Sequence, residues 1–508
     1  MARIGHAIVN GTTGEGLTSE DYESRCNRAA QLFRQLGLHR GDHIAILLPN
    51  CLDYFVVAGA ALRTGLYVTP ISSHLKAEEI RHIVGDCGAQ CLVATADLLS
   101  RMDGDTVRAL RAIFVVGEEC PGALHWDTAL SLMPDAPVDD ATPGRIMFYS
   151  SGTTGLPKGI KQPLPPVGDF SGDAASARAM GASWGFGPDT IYLSPAPLYH
   201  AAPLRFSIAA LRLGASVVFS EKFDPEQTLA LVERYGVTHA QFVPTMFVRM
   251  LRLADDVRKG YDLSSLTCAI HAAAPCPVDV KRQMIDWFGP IIHEYYAGTE
   301  AVGSTRISSA EWLAHPGSVG RPSNCKVHIL GDRHEELPAR EVGMVYFSGG
   351  PAFEYHSDPD KTASVRSPQG WMTFGDCGYL DEDGYLYLTD RKDFMIISGG
   401  VNIYPQEIED VIALHPQVDD VAVIGIPEPE FGQEVKALVK PMPGVGDTAA
   451  FEAEILAFCA GRLSSVKCPR SIVVVDALPR SETGKLQKRL LMSAYGAKSA
   501  GAVAPASR

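Results

Sequence analysis

The stretch Val217–Pro244, VVFSEKFDPEQTLALVERYGVTHAQFVP, predicts a β-strand, an α-helix and a second β-strand in direct succession. Asp224 is a typical helix N-cap, and Pro225 suits the first helical turn, where its missing N–H costs no hydrogen bond. An amphipathic pattern continues to Gly236, a residue type that often ends helices because it adopts left-handed backbone angles. This order of elements is a βαβ unit and predicts an α/β fold with parallel strands.

Short apolar runs bounded by Gly and Pro extend from Gly41 to about Phe219, and the last of them contains the first strand of this unit. They are HIAILLPN, LYVTPIS, QCLVATADLL, AIFVVG, TIYLSPAPLYH and ASVVFS. Such runs are typical of strands buried on both faces of a parallel sheet. We therefore predict an α/β fold whose large N-terminal domain contains layered, largely parallel sheets with flanking helices.

The pattern changes between Trp371 and Ile403. Gly384 is expected to form a hairpin turn, and the charged stretch Asp390–Asp393 separates two apolar runs. The elements after it predict a small, mobile α+β domain. The predicted boundaries are 1–390 for the N-terminal domain, 391–393 for a hinge, 394–496 for the C-terminal domain and 497–508 for a disordered tail.

Composition disfavours several classes of partner. The formal net charge of the 508 residues is −14, which disfavours binding to nucleic acid or to an anionic membrane. The chain has neither an uninterrupted apolar run of membrane-spanning length nor a signal peptide pattern, so we expect a cytoplasmic protein without a membrane span. The eleven cysteines are scattered without a CxxC pair, which fits reduced packing thiols.

The segment YSSGTTGLPKGI follows an apolar strand and combines glycines, hydroxyls and one lysine. Glycines allow successive backbone N–H groups to face one anion, and Lys158 adds a positive charge. The segment is not the common P-loop, because Pro157 and Gly159 stand where that motif has Gly and Ser or Thr. The pattern favours a phosphate-binding loop over a simple flexible loop.

Two further segments carry carboxylates. YAGTE ends in Thr299 and Glu300, a hydroxyl and a carboxylate of the kind that coordinate Mg²⁺ beside phosphate. FGDCG places Asp376 in a turn. Its carboxylate could accept a hydrogen bond from the local backbone or bind the two hydroxyls of a ribose, and the residues alone do not decide between these roles.

Four motifs occur in this order: YSSGTTGLPKG, YAGTE, GDCGYLDEDGYLYLTDRKDFMIISGGVNIYPQEIE and PRSETGKLQKR. Together they resemble the adenylate-forming superfamily, in particular the acyl-CoA synthetase branch of fatty-acid and 4-coumarate–CoA ligases. The resemblance implies that ATP and a carboxylate form an acyl-adenylate and pyrophosphate, after which the thiol of CoA displaces AMP. It also implies ATP and Mg²⁺ as cofactors and CoA as a co-substrate.

The resemblance assigns the nucleotide residues. Those implied to hold the β- and γ-phosphates are Ser150, Ser151, Gly152, Thr153, Thr154 and Lys158. Glu300 is implied to hold Mg²⁺ together with the Ser150 hydroxyl, and Thr299 to contact the α-phosphate. Tyr296 is implied to stack on adenine, with a wall formed by Ala273, Ala274 and Pro275 opposite it. Asp376 would bind the ribose hydroxyls, assisted by Arg391.

The segment PLYHAAP is similar to the family segment whose histidine lies at the acyl carboxylate, which implies this place for His200. Amino-acid adenylating relatives carry an aspartate there, so His200 argues against an amino acid substrate. The implied acyl pocket consists of His200, Ala202, Tyr295, Ala297 and Gly298. Tyr295 replaces a residue that is commonly small, and this favours a medium-chain, alicyclic or aromatic acid over a very long chain.

In the family, the C-terminal domain rotates about the residue that corresponds to Asp393. One orientation brings Lys485 to the ATP, where it would bridge carboxylate and α-phosphate; the other brings Ser398, Gly399 and Gly400 to the path of CoA. Lys488 and Arg489 are predicted to be ordinary exposed residues after this loop.

The leading hypothesis is therefore an AMP-forming acyl-CoA synthetase. An alternative is a stand-alone adenylating enzyme that loads a separate carrier protein, or an oxidative luciferase-type relative. A nucleotide-binding regulator with decayed chemistry is disfavoured by the presence of Glu300, Asp376, Arg391 and Lys485. Homodimer formation is left open.

Overall fold

The structure is a computed structural model that describes residues 5–150, 156–480 and 486–496. The chain divides into two compact units. The first unit comprises Met1–Ala272, Arg282–Val302 and Pro351–Ser364; the second comprises Ala273–Lys281, Gly303–Gly350 and Val365–Arg508. The predicted hinge, residues 391–393, falls within the second unit, and its movement stays a prediction.

The first unit is built mainly from two parallel sheets. One runs in the order Leu124–His125, Ala112–Val116, Ala89–Thr95, His43–Leu47, Tyr67–Pro70 and Arg145–Ile146. The other runs in the order Ile292–Ala297, Cys268–His271, His239–Phe242, Ile191–Ser194, Ser216–Phe219, Ile8–Asn10 and the antiparallel Gly16–Leu17. A small antiparallel sheet contains Glu354–Tyr355, Lys158–Lys161 and Phe148–Ser150.

Helices flank these sheets. They span Ser19–Gln35, Leu52–Arg63, Ala77–Asp86, Ala96–Ser100, Gly104–Ala109, Trp126–Ser131, Ser171–Trp184, Ala201–Arg212, Pro225–Tyr235, Pro244–Leu251, Asp255–Lys259 and Pro359–Ser364. The helix Val278–Phe288 is divided between the two units. Every residue of the strand His43–Leu47 is buried, as expected for a sheet covered on both faces.

The predicted βαβ unit is confirmed. The strands Ser216–Phe219 and His239–Phe242 lie parallel to Ile191–Ser194, one on each side of it. Asp224 caps the helix between them by accepting a hydrogen bond from the Gln227 backbone N–H at 2.8 Å, a contact type that stabilises by about 1 kcal/mol. Gly236 ends the helix with a φ of 62°.

The second unit contains mostly antiparallel strands. One sheet runs in the order Lys326–Leu330, Gly343–Ser348, Asp376–Leu380 and Leu386–Arg391. Gly384, with a φ of 79°, lies in the turn between the last two strands, so the predicted hairpin is confirmed. The strand Ser304–Ser308 pairs with Arg321–Pro322, and the helix Ser309–Ala314 follows directly on the first of these strands.

The C-terminal part of this unit is an α+β arrangement. Its sheet runs in the order Val401–Ile403, Ile396–Ser398, Gly432–Pro441 and Val418–Glu428, with Ser471–Val474 parallel to Gly432–Pro441. Its helices are Pro405–Ala413, Thr448–Ala460 and Lys488–Gly496, preceded by the short 3₁₀ turn Lys392–Phe394. The predicted α/β fold class with largely parallel sheets and an additional C-terminal domain is thus confirmed. Throughout the described residues, every helix is too short or too polar to cross a membrane.

Candidate active site

The predicted phosphate loop lies in a β-hairpin of the first unit. Its strands Phe148–Ser150 and Lys158–Lys161 are antiparallel, with Ser150 directly opposite Lys158. Gly159 permits close packing here, because a Cβ at this position would stand 2.4 Å from the Met147 methyl carbon. The tip of the loop, with Ser151, Gly152, Thr153 and Thr154, lies outside the described residues.

Lys158 is ion-paired with Asp358. The Lys158 Nζ lies 2.5 Å from the Asp358 Oδ2, and 23% of the lysine side chain is exposed. The hydrogen bond from Lys158 lowers the pKa of Asp358. Asp358 comes from a segment 200 residues further along the chain, and sequence reasoning did not single it out.

Glu300 is held by the same segment. Its Oε1 accepts a hydrogen bond of 2.9 Å from the Tyr355 hydroxyl. Burial lowers the pKa of Arg205, and the charge of Glu300 opposes this shift. Its backbone carbonyl accepts from Gln162 Nε2 at 3.4 Å. A carboxylate with one oxygen oriented by a neutral hydroxyl suits a hard divalent cation, so Glu300 fits the Mg²⁺ that the resemblance implies.

His200 is the N-cap residue of the helix Ala201–Arg212. Its Nε2 atom is buried and has no hydrogen-bond partner among the residues that the structure describes. Burial lowers the pKa of His200 to about 4, so the imidazole is neutral at pH 7. A buried, neutral ring nitrogen without a partner can receive or donate one hydrogen bond to a ligand.

Tyr295 is fixed by polar and aromatic contacts. Its hydroxyl accepts a hydrogen bond from Gln241 Nε2 at 3.1 Å, and Gln241 in turn accepts one from the Tyr192 hydroxyl at 3.2 Å. The Tyr295 ring stacks on Phe206, with 5.8 Å between the ring centroids. Burial raises the pKa of Tyr295 to about 12, so this side chain stays protonated.

Phe206 belongs to the helix Ala201–Arg212. The structure therefore connects Tyr295 to the helix that starts after His200 and contains Ala202. The remaining predicted pocket residues, Ala297 and Gly298, end the strand of Tyr295 and begin the turn after it.

Arg205 was missed by sequence reasoning. Its Nη2 donates to the carbonyl oxygen of Thr299 at 3.1 Å, and its guanidinium lies 4.9 Å from the centroid of the Phe148 ring. Burial lowers the pKa of Arg205 to about 10. The signal that could have found it is a single arginine within the otherwise apolar run PLRFSIAAL.

The residues predicted for adenine and ribose divide between the units. Tyr296 lies in the strand Ile292–Ala297 of the first unit. Ala273, Ala274 and Pro275 belong to the second unit, and Ala273 has a φ of 78°, which is rare for a residue with a side chain.

Asp376 and Arg391 are brought together in the second unit. They are direct partners on adjacent antiparallel strands, and Asp376 Oδ1 accepts a hydrogen bond from Arg391 Nε at 3.1 Å. The arginine side chain is 32% exposed, whereas that of the aspartate is 13% exposed. The carboxylate is thus oriented by its partner, as a ribose-binding acid would need to be.

The predicted hinge region makes contacts that the sequence did not indicate. Asp393 accepts a hydrogen bond of 2.8 Å from Arg489 Nη2. Lys488 lies 3.2 Å from Asp390 Oδ2 and 2.9 Å from Glu409 Oε1, and it is 5% exposed. The prediction that Lys488 is an exposed residue is wrong, because these two buried carboxylates compensate the charge of its ammonium group.

The predicted CoA segment is a tight turn. Ser398 pairs with Val401 across it, and Gly399 and Gly400 have φ values of 55° and 80°. Two successive positive φ values are the signature of a type I′ hairpin turn, which explains the glycine pair. Lys485 lies outside the described residues.

Comparisons with known proteins agree with this arrangement. Residues 4–354 match the family model of the AMP-binding enzyme, and residues 407–485 match that of the AMP-binding enzyme C-terminal domain. The chain is 32% identical to a feruloyl-CoA synthase of an Amycolatopsis species, over 97% of this chain and 96% of that protein. It is 29% identical to the long-chain-fatty-acid–CoA ligase FadD13 of Mycobacterium tuberculosis, over 97% of this chain and 95% of that protein.

Among solved structures, ATP-bound MatB from Rhodopseudomonas palustris aligns with a TM-score of 0.84 at 27% identity, covering 96% of this chain and 95% of that chain. The chain belongs to the AMP-binding enzyme family. Within that family it is an AMP-forming acid–thiol ligase of the acyl-CoA synthetase class, which uses a carboxylic acid, ATP and CoA. The resemblance derived from the four motifs is confirmed.

Proposed function

We propose that this ligase activates an aromatic, alicyclic or medium-chain carboxylic acid. The observation that carries the proposal is the fixed position of Tyr295, whose hydroxyl is bound by Gln241 and whose ring stacks on Phe206. A rigid aromatic wall beside the helix of His200 offers a face to a ring and limits the length of a chain. The relative named feruloyl-CoA synthase, at 32% identity, supports an aromatic acid.

In the first half-reaction, a carboxylate oxygen attacks the α-phosphorus of ATP, the bond between the α- and β-phosphates breaks, and pyrophosphate leaves. We assign Lys158, Ser150 and the loop after it to the β- and γ-phosphates. Glu300, with the Ser150 hydroxyl, would hold Mg²⁺, which when bound stabilises negative charge on the phosphates. Thr299 would contact the α-phosphate, and Lys485 would bridge it to the carboxylate.

Several residues would position the two substrates. Tyr296 and the segment Ala273 to Pro275 would enclose adenine, and Asp376, oriented by Arg391, would bind the ribose hydroxyls. His200 would offer its buried Nε2 to the acid.

In the second half-reaction, the sulfur of CoA attacks the acyl carbon. The bond between this carbon and the phosphate oxygen of AMP breaks, AMP leaves, and the thiol proton passes to solvent. We propose that the C-terminal domain turns about Asp393 between the two steps. The turn Ser398 to Gly400 would then line the path of CoA. Its positive φ values suit a backbone that approaches a ligand closely.

The proposal is tested with a panel of carboxylic acids in which pyrophosphate release is measured with and without CoA. Aromatic and alicyclic acids should give the highest kcat/KM, and CoA should convert the acyl-adenylate to a thioester. A preference for long-chain acids would overturn the proposed substrate class. An acyl-adenylate that CoA cannot discharge, but a carrier protein can, would overturn the proposed acceptor.

A further inference from the structure

Tyr355 is positioned by the phosphate hairpin itself. The strand Glu354–Tyr355 pairs antiparallel with Lys158–Lys161, so that Tyr355 lies opposite Ile160. The next residue, His356, donates its backbone N–H to the Gly159 carbonyl at 2.8 Å. Tyr355 therefore has a defined place relative to Lys158, because Lys158 lies two residues before Ile160, the direct partner of Tyr355.

The Tyr355 side chain is held on other sides as well. The residue is 8% exposed, and its ring meets Phe353 edge-on, with 5.2 Å between the centroids. Its backbone N–H donates to the Thr362 hydroxyl at 2.9 Å. The phenol ring is thus fixed in place, and its hydroxyl donates a hydrogen bond to the Glu300 Oε1 at 2.9 Å.

The chemistry of this contact differs from that of an ion pair. A lysine or arginine at this position would orient the carboxylate but also neutralise it. A neutral phenol orients the carboxylate and leaves its negative charge available to a dication. The same segment supplies Asp358, which takes the ammonium of Lys158 at 2.5 Å. Lys158 is thereby paired with Asp358, whereas Glu300 is oriented by the hydroxyl of Tyr355.

We propose that Tyr355 is a positioning residue that orients Glu300 for the divalent cation of the ATP complex. This inference rests on the proposed role of Glu300 in binding Mg²⁺. Outer partners of metal ligands typically change metal affinity by about 10- to 100-fold when they are removed. Tyr355 should therefore affect the metal requirement more than the affinity for the acid.

The test compares Tyr355→Phe with a matched control, Tyr261→Phe. Tyr261 also donates its hydroxyl to a carboxylate, that of Glu226, at 3.0 Å, but neither residue belongs to the proposed site. Mn²⁺ is titrated into each protein in the presence of α,β-methylene-ATP, and free Mn²⁺ is followed by electron paramagnetic resonance. The Mg²⁺ concentration that gives half-maximal pyrophosphate release is measured in parallel.

We expect Tyr355→Phe to weaken Mn²⁺ binding and raise the Mg²⁺ requirement about 10-fold, with the KM of the acid and the melting temperature unchanged. Tyr261→Phe should match the wild type in both metal measurements. Glu300→Gln should weaken metal binding by itself, and adding Tyr355→Phe to it should cause no further loss. If Glu300→Gln loses metal affinity but Tyr355→Phe keeps that of the wild type, the inference about Tyr355 is overturned and the proposed role of Glu300 stands. Unchanged affinity in Glu300→Gln would overturn the proposed role of Glu300 together with it.

Discussion

The Lys488 ammonium group lies 3.2 Å from the Asp390 carboxylate. A residue three positions after the predicted catalytic lysine is thus ion-paired with the residue directly before the predicted hinge. Glu409 completes the cluster at 2.9 Å from the same ammonium group. Burial alone would lower the pKa of Lys488, but Glu409 and Asp390 raise it, so the lysine stays charged.

Lys488→Met should destabilise the protein strongly. Removing the cation leaves Asp390 and Glu409 buried without compensation, and such losses cost about 3–5 kcal/mol. Urea denaturation followed by circular dichroism measures the change in the free energy of unfolding.

Arg489→Ala is the matched control for Lys488→Met. Its ion pair with Asp393 is exposed, with 43% and 50% of the two side chains accessible, so its removal should cost about 1 kcal/mol or less. Equal losses in the two variants would show that the buried cluster contributes no more than a surface ion pair.

The pH dependence of stability should contain a contribution from His200. The unfolded state binds a proton with the ordinary pKa of 6.5, whereas burial lowers the pKa in the folded state to about 4. The contribution of the neutral His200 ring to the free energy of unfolding is therefore fully present above pH 6.5 and is lost as the pH falls towards 4. His200→Asn should lose stability less steeply than the wild type over this range. Parallel curves for the two proteins would contradict the lowered pKa.

Tyr295→Ala should change the preference for the acid. Removing the ring opens the pocket and takes away a stacking surface, so kcat/KM for aromatic acids should fall by about 10-fold or more while that for long-chain acids rises. Competition assays with one aromatic and one long-chain acid measure the ratio directly. Tyr192→Phe serves as the control, since it removes only a hydroxyl from the same hydrogen-bonded chain. An unchanged ratio in Tyr295→Ala would exclude Tyr295 from the acyl pocket.

Lys485→Ala should separate the two half-reactions. Loss of an electrostatic donor at the α-phosphate should reduce adenylation by about 10²-fold or more. The variant should still convert a supplied acyl-adenylate and CoA to the thioester, which single-turnover assays can follow. Equal loss of both steps would indicate that the loop PRSETGKLQKR has a structural role instead.

Local sequence patterns predicted much of the fold. Asp224, Pro225 and Gly236 act within one helix, and their side chains and backbone angles determine its two ends without help from the rest of the chain. The hairpin at Gly384 was predicted from its sequence, and the register of its two strands places Asp376 opposite Arg391.

Contacts between distant segments could not be predicted in this way. Tyr355 and Asp358 reach Glu300 and Lys158 only because Glu354–Tyr355 adds to the edge of the phosphate hairpin. Nothing in the local run FEYHSDPD indicates that pairing, which depends on which strand edge remains available after the sheets have formed.

The sequence by itself therefore determined the α/β class, the family and the chemical groups available for adenylation, because these depend on short motifs and on the spacing of apolar residues. Only the tertiary structure decided which neighbours control those groups: Tyr355 for Glu300, Asp358 for Lys158, Gln241 for Tyr295, and Asp390 with Glu409 for Lys488. The physical reason is that hydrogen bonds and ion pairs act over a few ångströms in space, whatever the separation of their partners along the chain.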